Sequence, residues 1–384
     1  MNWIVTAFSL GLILVWLVFL LRMLMTLRRF PPPRRLRDEL QRDLPFVSIL
    51  VPARDEARNI GRCIRSLLDL DYPHYEIVAV DDRSSDDTLP LLRELEAHTT
   101  RLRVVSIEKC PEGWTGKNHA LHVGVRHARG TWLLFTDADT IHSPTSLRLA
   151  IQEARKHSTG FLSFFSRIDC RSFGEGMIQP LASALVSLWH PIEKVNDRSS
   201  HRVFANGQYI LTDRNTYEAI GGHSAVRGRL PEDVALAERA RAAGIPIRLA
   251  IGTHVVRTRM YRGFRESWRG WERIFRHLPE QNPRRLLGTA AGVVCIGSGP
   301  LLTLLVALAL RTPLAVVIPA ALAFLLSVAV SAVFNVLSGQ PSWPAVFLPL
   351  STCIIPAILS TSAWRMWKGK PTVWRGVSYA RGQG

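Results

Sequence analysis

Two carboxylates stand one residue apart in the stretch LLFTDADT, where Asp137 and Asp139 follow the apolar run Trp132–Phe135. Like charges held that close repel, and each raises the pKa of the other. A divalent cation between them removes the repulsion, and Mg²⁺ or Mn²⁺ is usually bound by a few carboxylates together with substrate phosphates. The pair therefore predicts a metal that neutralises a diphosphate, although both residues could equally begin a turn into the helix expected after Pro144.

A second acidic pair, Glu232 and Asp233, follows Pro231. The pattern predicts a helix that starts here, with Pro at its favoured first position, and ends at Gly244. Acidic side chains in a first helical turn can simply complement the helix dipole. A carboxylate close to an acceptor hydroxyl could instead remove its proton as a general base. The residues alone leave both interpretations open.

The elements that must position these groups alternate regularly along the chain. Short β-rich runs at 46–51, 76–80, 102–107 and 132–135 are separated by helical stretches at 57–70, 86–98 and 117–128. Strand and helix in this rhythm predict an α/β fold, with a mostly parallel sheet and helices on both faces.

Three polar clusters follow predicted strands, at residues 52–56, 81–86 and 137–139. The carboxyl ends of parallel strands lie at one edge of a sheet, where ligands bind in open α/β folds. A dinucleotide-binding Rossmann domain would carry a glycine-rich turn after the first strand, but the first glycine there is Gly61, and the Walker pattern is also absent. A nucleotide would therefore bind in another way.

Long apolar runs at both ends of the chain predict a membrane protein. Residues 1–21 carry no charge, and three further runs cover 286–310, 313–337 and 343–364, with Arg311 the only charged residue from 286 to 363. About 20 apolar residues cross a bilayer core. No basic segment precedes the first run and no small-residue cleavage site follows it, so a retained anchor is expected rather than a signal peptide.

The net charge of +17 at first suggests nucleic-acid binding, but its position does not. The basic residues crowd beside the apolar runs, as the positive-inside rule and attraction to anionic lipid require. No nucleic-acid-binding motif occurs. The five cysteines show no metal or disulfide spacing, which favours buried small side chains in a reducing compartment.

The motifs of the central region resemble family 2 glycosyltransferases with the GT-A fold. They are VSILVPARDEARNIGRCIRSLLDLDYPHYEIVAVDDRSSDDT, EGWTGKNHAL, LLFTDADT, GQYILTDRNTYEAIGGH, PEDVALAERARAAG and RMYRGFRESWRGW, which follow in the family's order over about residues 47–275. Within the family, the chain is similar to the membrane subgroup of chlorobactene and diaponeurosporenoate glucosyltransferases, which act on carotenoids. The implied division is a transmembrane anchor (1–27), a basic Pro-rich linker (28–45), the GT-A domain (46–256), an amphipathic interface segment (257–285), a transmembrane region (286–367) and a basic tail (368–384).

The resemblance implies a role for particular residues. Asp233 becomes the general base, and Asp137 and Asp139 hold Mg²⁺ or Mn²⁺. Asp82, with Asp81 beside it, would bind the base, uracil, while Gly207 and Gln208 approach the donor sugar. The other positions that would contact the nucleotide or diphosphate are Pro52, Arg54, Glu56, Lys117 and Asp137.

One departure from the family's pattern concerns residues 266–271. Polymer-forming members carry Q-x-x-R-W near this point, whereas this chain has ESWRGW at 266–271, which favours addition of a single sugar. The segment predicts a helix with aromatic side chains on one side and arginines interspersed. Such a helix could lie in the membrane interface, or it could be a domain helix with a core stripe and a solvated basic face. The residues assigned to acceptor or interface are Glu232, Trp268, Arg269 and Trp271.

The sequence thus predicts a multi-pass inner-membrane glycosyltransferase with its catalytic domain in the cytoplasm. It would move one hexose, glucose, from a UDP-sugar to a lipophilic acceptor such as a carotenoid or hopanoid-type lipid, with membrane lipid and no nucleic acid as further partner. The alternatives are a polyprenyl-phosphate or ceramide-type glycosyltransferase and a non-catalytic membrane protein with a degenerate nucleotide-binding domain.

Three full C-terminal spans would place Lys368, Lys370 and Arg375 outside, against the positive-inside rule. One run is therefore expected to be re-entrant or interfacial, with the C-terminus in the cytoplasm.

Overall fold

The computed structural model describes residues 2–34, 43–278, 281–374 and 377–379, so the predicted linker and basic tail lie partly outside the described residues. The chain divides into two units. The sheet unit comprises the described parts of Phe30–Arg167 and His190–Arg259. The helical unit comprises the residues up to Arg29, Ile168–Trp189 and the described residues from Met260 onward.

A seven-stranded sheet forms the sheet unit, in the order β3-β2-β1-β4-β8-β6-β9. The pairs β1–β2, β2–β3, β1–β4 and β6–β9 are parallel, whereas β8 is antiparallel to both of its neighbours. The strands are β1 Val47–Ala53, β2 Tyr75–Asp82, β3 Leu102–Ile107, β4 Trp132–Phe135, β6 Phe161–Phe165, β8 Ile210–Asp213 and β9 Ile247–Ile251, with short strands β5 Thr140–His142, β7 Arg167–Ile168 and β10 Val256–Thr258.

Helices cover both faces of this sheet. Successive side chains of a strand point to opposite faces. On β1, Ile49 and Val51 join a buried cluster that includes Ile64 and other residues of α2. Leu50 points the other way, where a Cβ added to Gly124 of α4 would lie only 3.2 Å from its Cδ1. The helices are α2 Ile60–Leu68, α3 Thr88–Ala97, α4 Gly116–His127, α5 Ser146–Lys156, α7 Ile192–Val195, α8 Arg214–Ala219 and α9 Glu232–Ala242, with a 3₁₀ turn at Gly222–Val226.

The predicted fold class is confirmed. All four predicted strands and all three predicted helices of the first half are present, with ends shifted by at most about three residues, as is usual for element boundaries. The helix predicted from Pro231 begins at Glu232, and Pro231 is its N-cap residue.

The described part of the helical unit contains four stretches of helix that are long and apolar enough to cross a membrane, with other helices beside them. The helices are α1 Asn2–Arg29, α6 Phe173–Trp189, α10 Gly263–His277, α11 Pro283–Val293, α12 Gly299–Ala309, α13 Leu314–Leu337 and α14 Leu348–Trp367. A π-helical turn at Val294–Ser298 joins α11 to α12, a 3₁₀ turn at Trp343–Phe347 precedes α14, and strands β11 Thr372–Trp374 and β12 Val377–Tyr379 follow it. The domain boundaries inferred from the sequence remain a prediction; they place α6 in the GT-A domain, whereas α6 contacts α10 and α14.

Candidate active site

Polar groups from several elements of the sheet unit meet at the carboxyl edge of its central strands. Because β1 and β4 are parallel neighbours, Pro52 and Asp137 lie at the same edge. A small open cavity lies there. Its lining includes Pro52, Lys117, Asp137, Gly207, Glu232 and Asp233.

Lys117 joins the two acidic pairs of the sequence. It lies in the first turn of α4, and its Nζ is 2.6 Å from Oδ1 of Asp137 and 2.6 Å from Oε1 of Glu232. Burial opposes the charge of the ammonium group, but the carboxylates of Asp137, Glu232 and Asp233 prevail and raise its pKa above the ordinary value. The lysine is therefore a fixed cation at neutral pH, held beside the N-terminus of a helix.

Asp233 is oriented by two backbone N–H groups. Gly207 N donates to Oδ2 at 2.7 Å, and Val234 N donates to Oδ1 at 2.8 Å. The carboxylate is partly exposed but largely surrounded by protein. Desolvation and the neighbouring Glu232 raise its pKa to about 7, although Lys117 and the two N–H groups act in the opposite direction. A carboxylate with this pKa is poised to take up a proton near neutral pH.

Gly207 packs directly on this charged cluster. A Cβ added there would lie 3.1 Å from Nζ of Lys117, 3.2 Å from Oδ2 of Asp233 and 3.4 Å from Oε1 of Glu232. The next residue, Gln208, is buried, and its backbone carbonyl accepts a hydrogen bond from Thr136. Its side-chain oxygen Oε1 accepts hydrogen bonds from Ser166 and Asn206.

The loop that carries Asp137 and Asp139 links β4 to β5 and is held by its backbone. Thr140 Oγ1 donates to the carbonyl of Asp137 at 2.7 Å, and Thr258 Oγ1 donates to that of Asp139 at 3.3 Å. Oδ1 of Asp139 is buried and has no hydrogen-bond partner among the described residues. Burial, Asp137 and Glu56 together raise the pKa of Asp139.

These two carboxylates fit a hard divalent cation. A buried carboxylate oxygen without a partner costs free energy unless a ligand satisfies it. Within the described residues, no group of three or more His, Cys, Asp or Glu side chains is arranged to hold a metal alone. Mg²⁺ is usually bound by one or two carboxylates together with substrate phosphates, so two aspartates suffice only if a diphosphate completes the site.

The remaining predicted nucleotide contacts lie where β1 and β2 end. Asp81 and Asp82 are buried, and Oδ1 of Asp81 finds no hydrogen-bond partner within the described part of the chain. Arg83 Nε is 2.8 Å from Oδ1 of Asp82, and Arg54 Nη1 is 3.8 Å from Oδ2. Glu56 is fixed through its backbone N–H, which donates to Thr88 Oγ1 at 2.7 Å. These polar groups therefore lie at the same edge of the sheet as the lysine cluster.

Three predicted acceptor or interface residues belong to α10, in the helical unit. Trp271 is buried, Trp268 is partly exposed and Arg269 is exposed. The predicted amphipathic helix is present, and its buried side includes Phe275. A role for these residues in acceptor binding remains a prediction.

Comparison with known proteins agrees with this geometry. The sequence profile described as "Glycosyl transferase family 2" matches residues 48–212. These residues, which make up less than half of the chain, are thus similar to family 2 glycosyltransferases. A 4,4'-diaponeurosporenoate glycosyltransferase from Staphylococcus aureus (strain USA300) is 28% identical over 230 residues, which are 59% of this chain and 59% of the relative. The match thus spans less than two thirds of the relative's length.

Two solved structures are also similar over most of the chain. One is the mannosyltransferase PcManGT from Pyrobaculum calidifontis in complex with GDP-Man and Mn²⁺, with 20% identity, 95% of this chain and 100% of that chain covered, and a TM-score of 0.49. The other is S. aureus TarS 1–349 in complex with UDP-GlcNAc, with 16% identity, 88% and 98% covered, and a TM-score of 0.41.

Two buried residues of the sheet unit were not predicted from the sequence to shape this site. His223 lines the cavity, and burial lowers its pKa to about 3, so the ring is neutral; its Nδ1 is 2.9 Å from the Tyr217 hydroxyl. Asn118 is fully buried on α4, and its Nδ2 donates to the carbonyls of Val226, Arg227 and Arg229 at 2.6, 3.1 and 3.3 Å. No spacing in the sequence links Asn118 to a loop more than 100 residues away.

Asn118 positions the loop that leads into Glu232 and Asp233. Replacing Asn118 with Ala removes a side-chain donor that three loop carbonyls share. The carbonyls of Val226 and Arg227 also accept from the N–H groups of Arg229 and Thr115, so the main loss is at the Arg229 carbonyl, and a buried group left unpaired costs about 1–3 kcal/mol. We expect sugar transfer to fall about tenfold or more, because about 1.4 kcal/mol in the barrier is a factor of ten. Initial rates and the temperature of unfolding should be measured together. Arg126→Ala, at the exposed end of the same helix, is the control and should leave both unchanged.

Proposed function

We propose that this protein is a membrane-bound, inverting glycosyltransferase that moves a single hexose, glucose, from a UDP-sugar to a lipophilic acceptor such as a carotenoid or hopanoid-type lipid. The observation that carries the proposal is the cluster at the sheet edge, where Lys117 bridges Asp137 and Glu232 beside an Asp233 of raised pKa. A cation for a diphosphate and a base for an acceptor thus lie in one cavity.

The donor would be bound by polar groups at the end of β2 and at the start of α4. The unpaired carboxylate oxygen of Asp81 can accept a hydrogen bond from the N–H of uracil. Lys117 and the N-terminus of α4 would hold the diphosphate. Asp137 and Asp139 would hold Mg²⁺ or Mn²⁺, which when bound supplies positive charge for the departing nucleoside diphosphate. A side chain at position 207 would press on Lys117 and Asp233, so glycine there keeps the charged cluster open to the donor sugar.

The acceptor end depends on Asp233. Its ionised carboxylate takes the proton of an acceptor hydroxyl as that oxygen attacks the anomeric carbon of the sugar, and the bond to the diphosphate breaks in the same displacement. Attack from the face opposite the leaving group inverts the anomeric centre and needs no nucleophile on the protein. The N–H of Gly207 fixes the carboxylate in place while the proton moves.

The lipophilic acceptor and the inner-membrane location are inferred from the helical unit and from the relative. Four helices are long and apolar enough to cross a membrane. The name of the S. aureus relative describes the glycosylation of 4,4'-diaponeurosporenoate. Basic residues crowd the end of α1 that leads into the sheet unit, and the positive-inside rule makes this support for a cytoplasmic sheet unit.

The rate of transfer should depend on pH through Asp233. Its raised pKa means that the carboxylate is protonated, and inactive as a base, below about 7. The groups facing it are Glu232, which raises the pKa, and Lys117, which lowers it; His223 stays neutral. We expect kcat/KM to rise about tenfold per pH unit below 7 and then to level off. A profile that is flat from about pH 5 to about pH 8 would contradict this role for Asp233.

The decisive test is the product. Membranes containing the protein should be incubated with UDP-glucose labelled in the sugar, and the lipid extract should be analysed by chromatography and mass spectrometry. A labelled neutral lipid or sugar ester supports the proposal, with Asp233→Asn as the inactive control. Label on a polyprenyl phosphate or ceramide would support the alternative acceptors. No turnover of any UDP-sugar, and no binding of one, would indicate a non-catalytic protein.

A further inference from the structure

The four apolar helices of the helical unit do not all begin and end at the same level of the unit. A small buried cluster brings together Trp16 of α1, Val330 of α13 and Leu348 of α14, with Ile296 of the π-helical turn packed against it. The indole N–H of Trp16 donates to the carbonyl of Ile296 at 3.1 Å. These residues define one level within the bundle.

Three of the helices pass through this level. Trp16 is 14 residues from the first residue of α1 and 13 from the last, and Ile296 is 13 residues from each end of Pro283–Ala309. At 1.5 Å per residue, about 20 Å of helix extends on both sides. The loop 310–313 keeps the start of α13 beside the end of α12, so α13 returns through the same level at Val330.

The fourth helix, α14, begins at this level instead of passing through it. Leu348, which belongs to the buried cluster, is its first residue. One turn later, Oγ1 of Thr352 is 2.6 Å from Oγ of Ser298, in the middle of the Pro283–Ala309 helix. The short segment 338–347 therefore brings the chain back from the end of α13 to the middle of the bundle.

The other end of α14 returns to the side from which α11 starts. Arg365 Nε lies 3.1 Å from Oε1 of Glu272, and Ser362 Oγ donates to the Glu272 carbonyl at 3.3 Å. Arg276 donates to the carbonyl of Lys370. Glu272 and Arg276 belong to the end of α10, only a few residues before α11 begins at Pro283.

We propose that α14 is a re-entrant helix that enters only the leaflet on the basic, cytoplasmic side, so that the C-terminal tail lies on the same side as the end of α1. Its partner is the lipid of that single leaflet. Three full crossings then place all the basic ends together, and the conflict with the positive-inside rule disappears. Arg311, in the loop between α12 and α13, is left as the only charged residue described on the opposite side between 286 and 363.

The exposed stripe of α14 fits this placement. It runs through Leu350, Cys353, Ala357 and Ser360 and ends at Trp364 and Trp367. Lys370 Nζ lies 4.3 Å above the ring of Trp364, and Lys368 Nζ lies 5.6 Å above that of Trp367. Trp and Lys are the residues that anchor a helix at the headgroup level, so the stripe leads from the bilayer middle to one interface.

Single-cysteine labelling tests the proposal. In the full-length protein with its five native cysteines replaced by Ser, one cysteine is introduced by Pro31→Cys, Pro313→Cys or Lys368→Cys. A membrane-impermeant maleimide is added to intact cells and to inverted vesicles. We expect Lys368→Cys and Pro31→Cys to react only in inverted vesicles, and Pro313→Cys only in intact cells. Labelling of Lys368→Cys together with Pro313→Cys would show that α14 crosses the membrane and would overturn the proposal.

A second readout avoids cysteine replacement, in case those variants fail to fold. A green fluorescent protein fused to the C-terminus of the native sequence should fluoresce, and an alkaline phosphatase fused there should be inactive; an active phosphatase without fluorescence would overturn the proposal. The inference rests on the membrane location proposed above but not on the transferase activity. Extraction of the protein by alkaline carbonate would refute the membrane location itself. Labelling of Lys368→Cys in intact cells would overturn only the placement of α14.

Discussion

Replacing Asp233 with Asn is expected to lower the turnover of sugar transfer about 10²–10⁴-fold, the usual effect of removing a general base. The amide cannot take the acceptor proton. It keeps the size of the side chain and one oxygen that can accept from Gly207 or Val234, so the helix start should survive. UDP-sugar affinity by titration and labelled product should be measured in the same preparation, where the affinity should change little.

The matched control for this variant is Glu238→Gln, which removes a partly exposed carboxylate one and a half turns along α9, where it pairs with Arg229 at 3.1 Å. It should leave transfer unchanged. Near-normal transfer by Asp233→Asn would show that Asp233 only starts the helix, and an equal loss of donor affinity would place it in the nucleotide pocket. A weak effect together with a strong effect at Asp137 would point to an acceptor carboxylate, which is already ionised and needs no base.

Replacing Asp137 or Asp139 with Ala is expected to abolish metal-dependent turnover, because the diphosphate loses the cation that offsets its charge. The two variants should differ in stability. Asp139→Ala removes a buried carboxylate oxygen without a described partner, so the unliganded protein should unfold at the same temperature or higher. Asp137→Ala removes one of the two carboxylates that bond Lys117 and should lower the unfolding temperature slightly.

Binding of Mn²⁺ gives a readout that does not require turnover. In the presence of UDP, Mn²⁺ should raise the unfolding temperature of the native protein and of Asp69→Ala, a control at an exposed residue just after α2. The same addition should not stabilise Asp137→Ala or Asp139→Ala. An unchanged metal dependence in the double variant would refute the assignment of these two residues.

Local pattern was enough to predict the first half of the sheet unit. Each strand from β1 to β4 is a short apolar run, and each helix between them has a polar and an apolar side, so backbone propensity and burial demand the same element. The strands and helices of the second half were harder to predict. Here β8 runs antiparallel to β4 and β6, and the sequence shows no regular alternation of strands and helices that would indicate this.

The sequence by itself determined the types of the functional groups and the edge at which the first of them meet. Asp137 and Asp139 could be predicted because a strand end fixes their place, and the apolar runs could be predicted because a bilayer requires a certain length of uncharged chain.

Only the tertiary structure decided which of these groups touch. The contact of Lys117 with both Asp137 and Glu232 joins segments up to 115 residues apart. The hydrogen bonds of Asn118 to the carbonyls of residues 226–229 likewise join distant segments. The depth that we infer for α14 likewise rests on packing. By length and composition its segment could span a membrane, and its contacts with Ser298 and Glu272 support the shallower placement that we propose. Composition fixes whether a segment prefers lipid, but its neighbours fix how far into the lipid it goes.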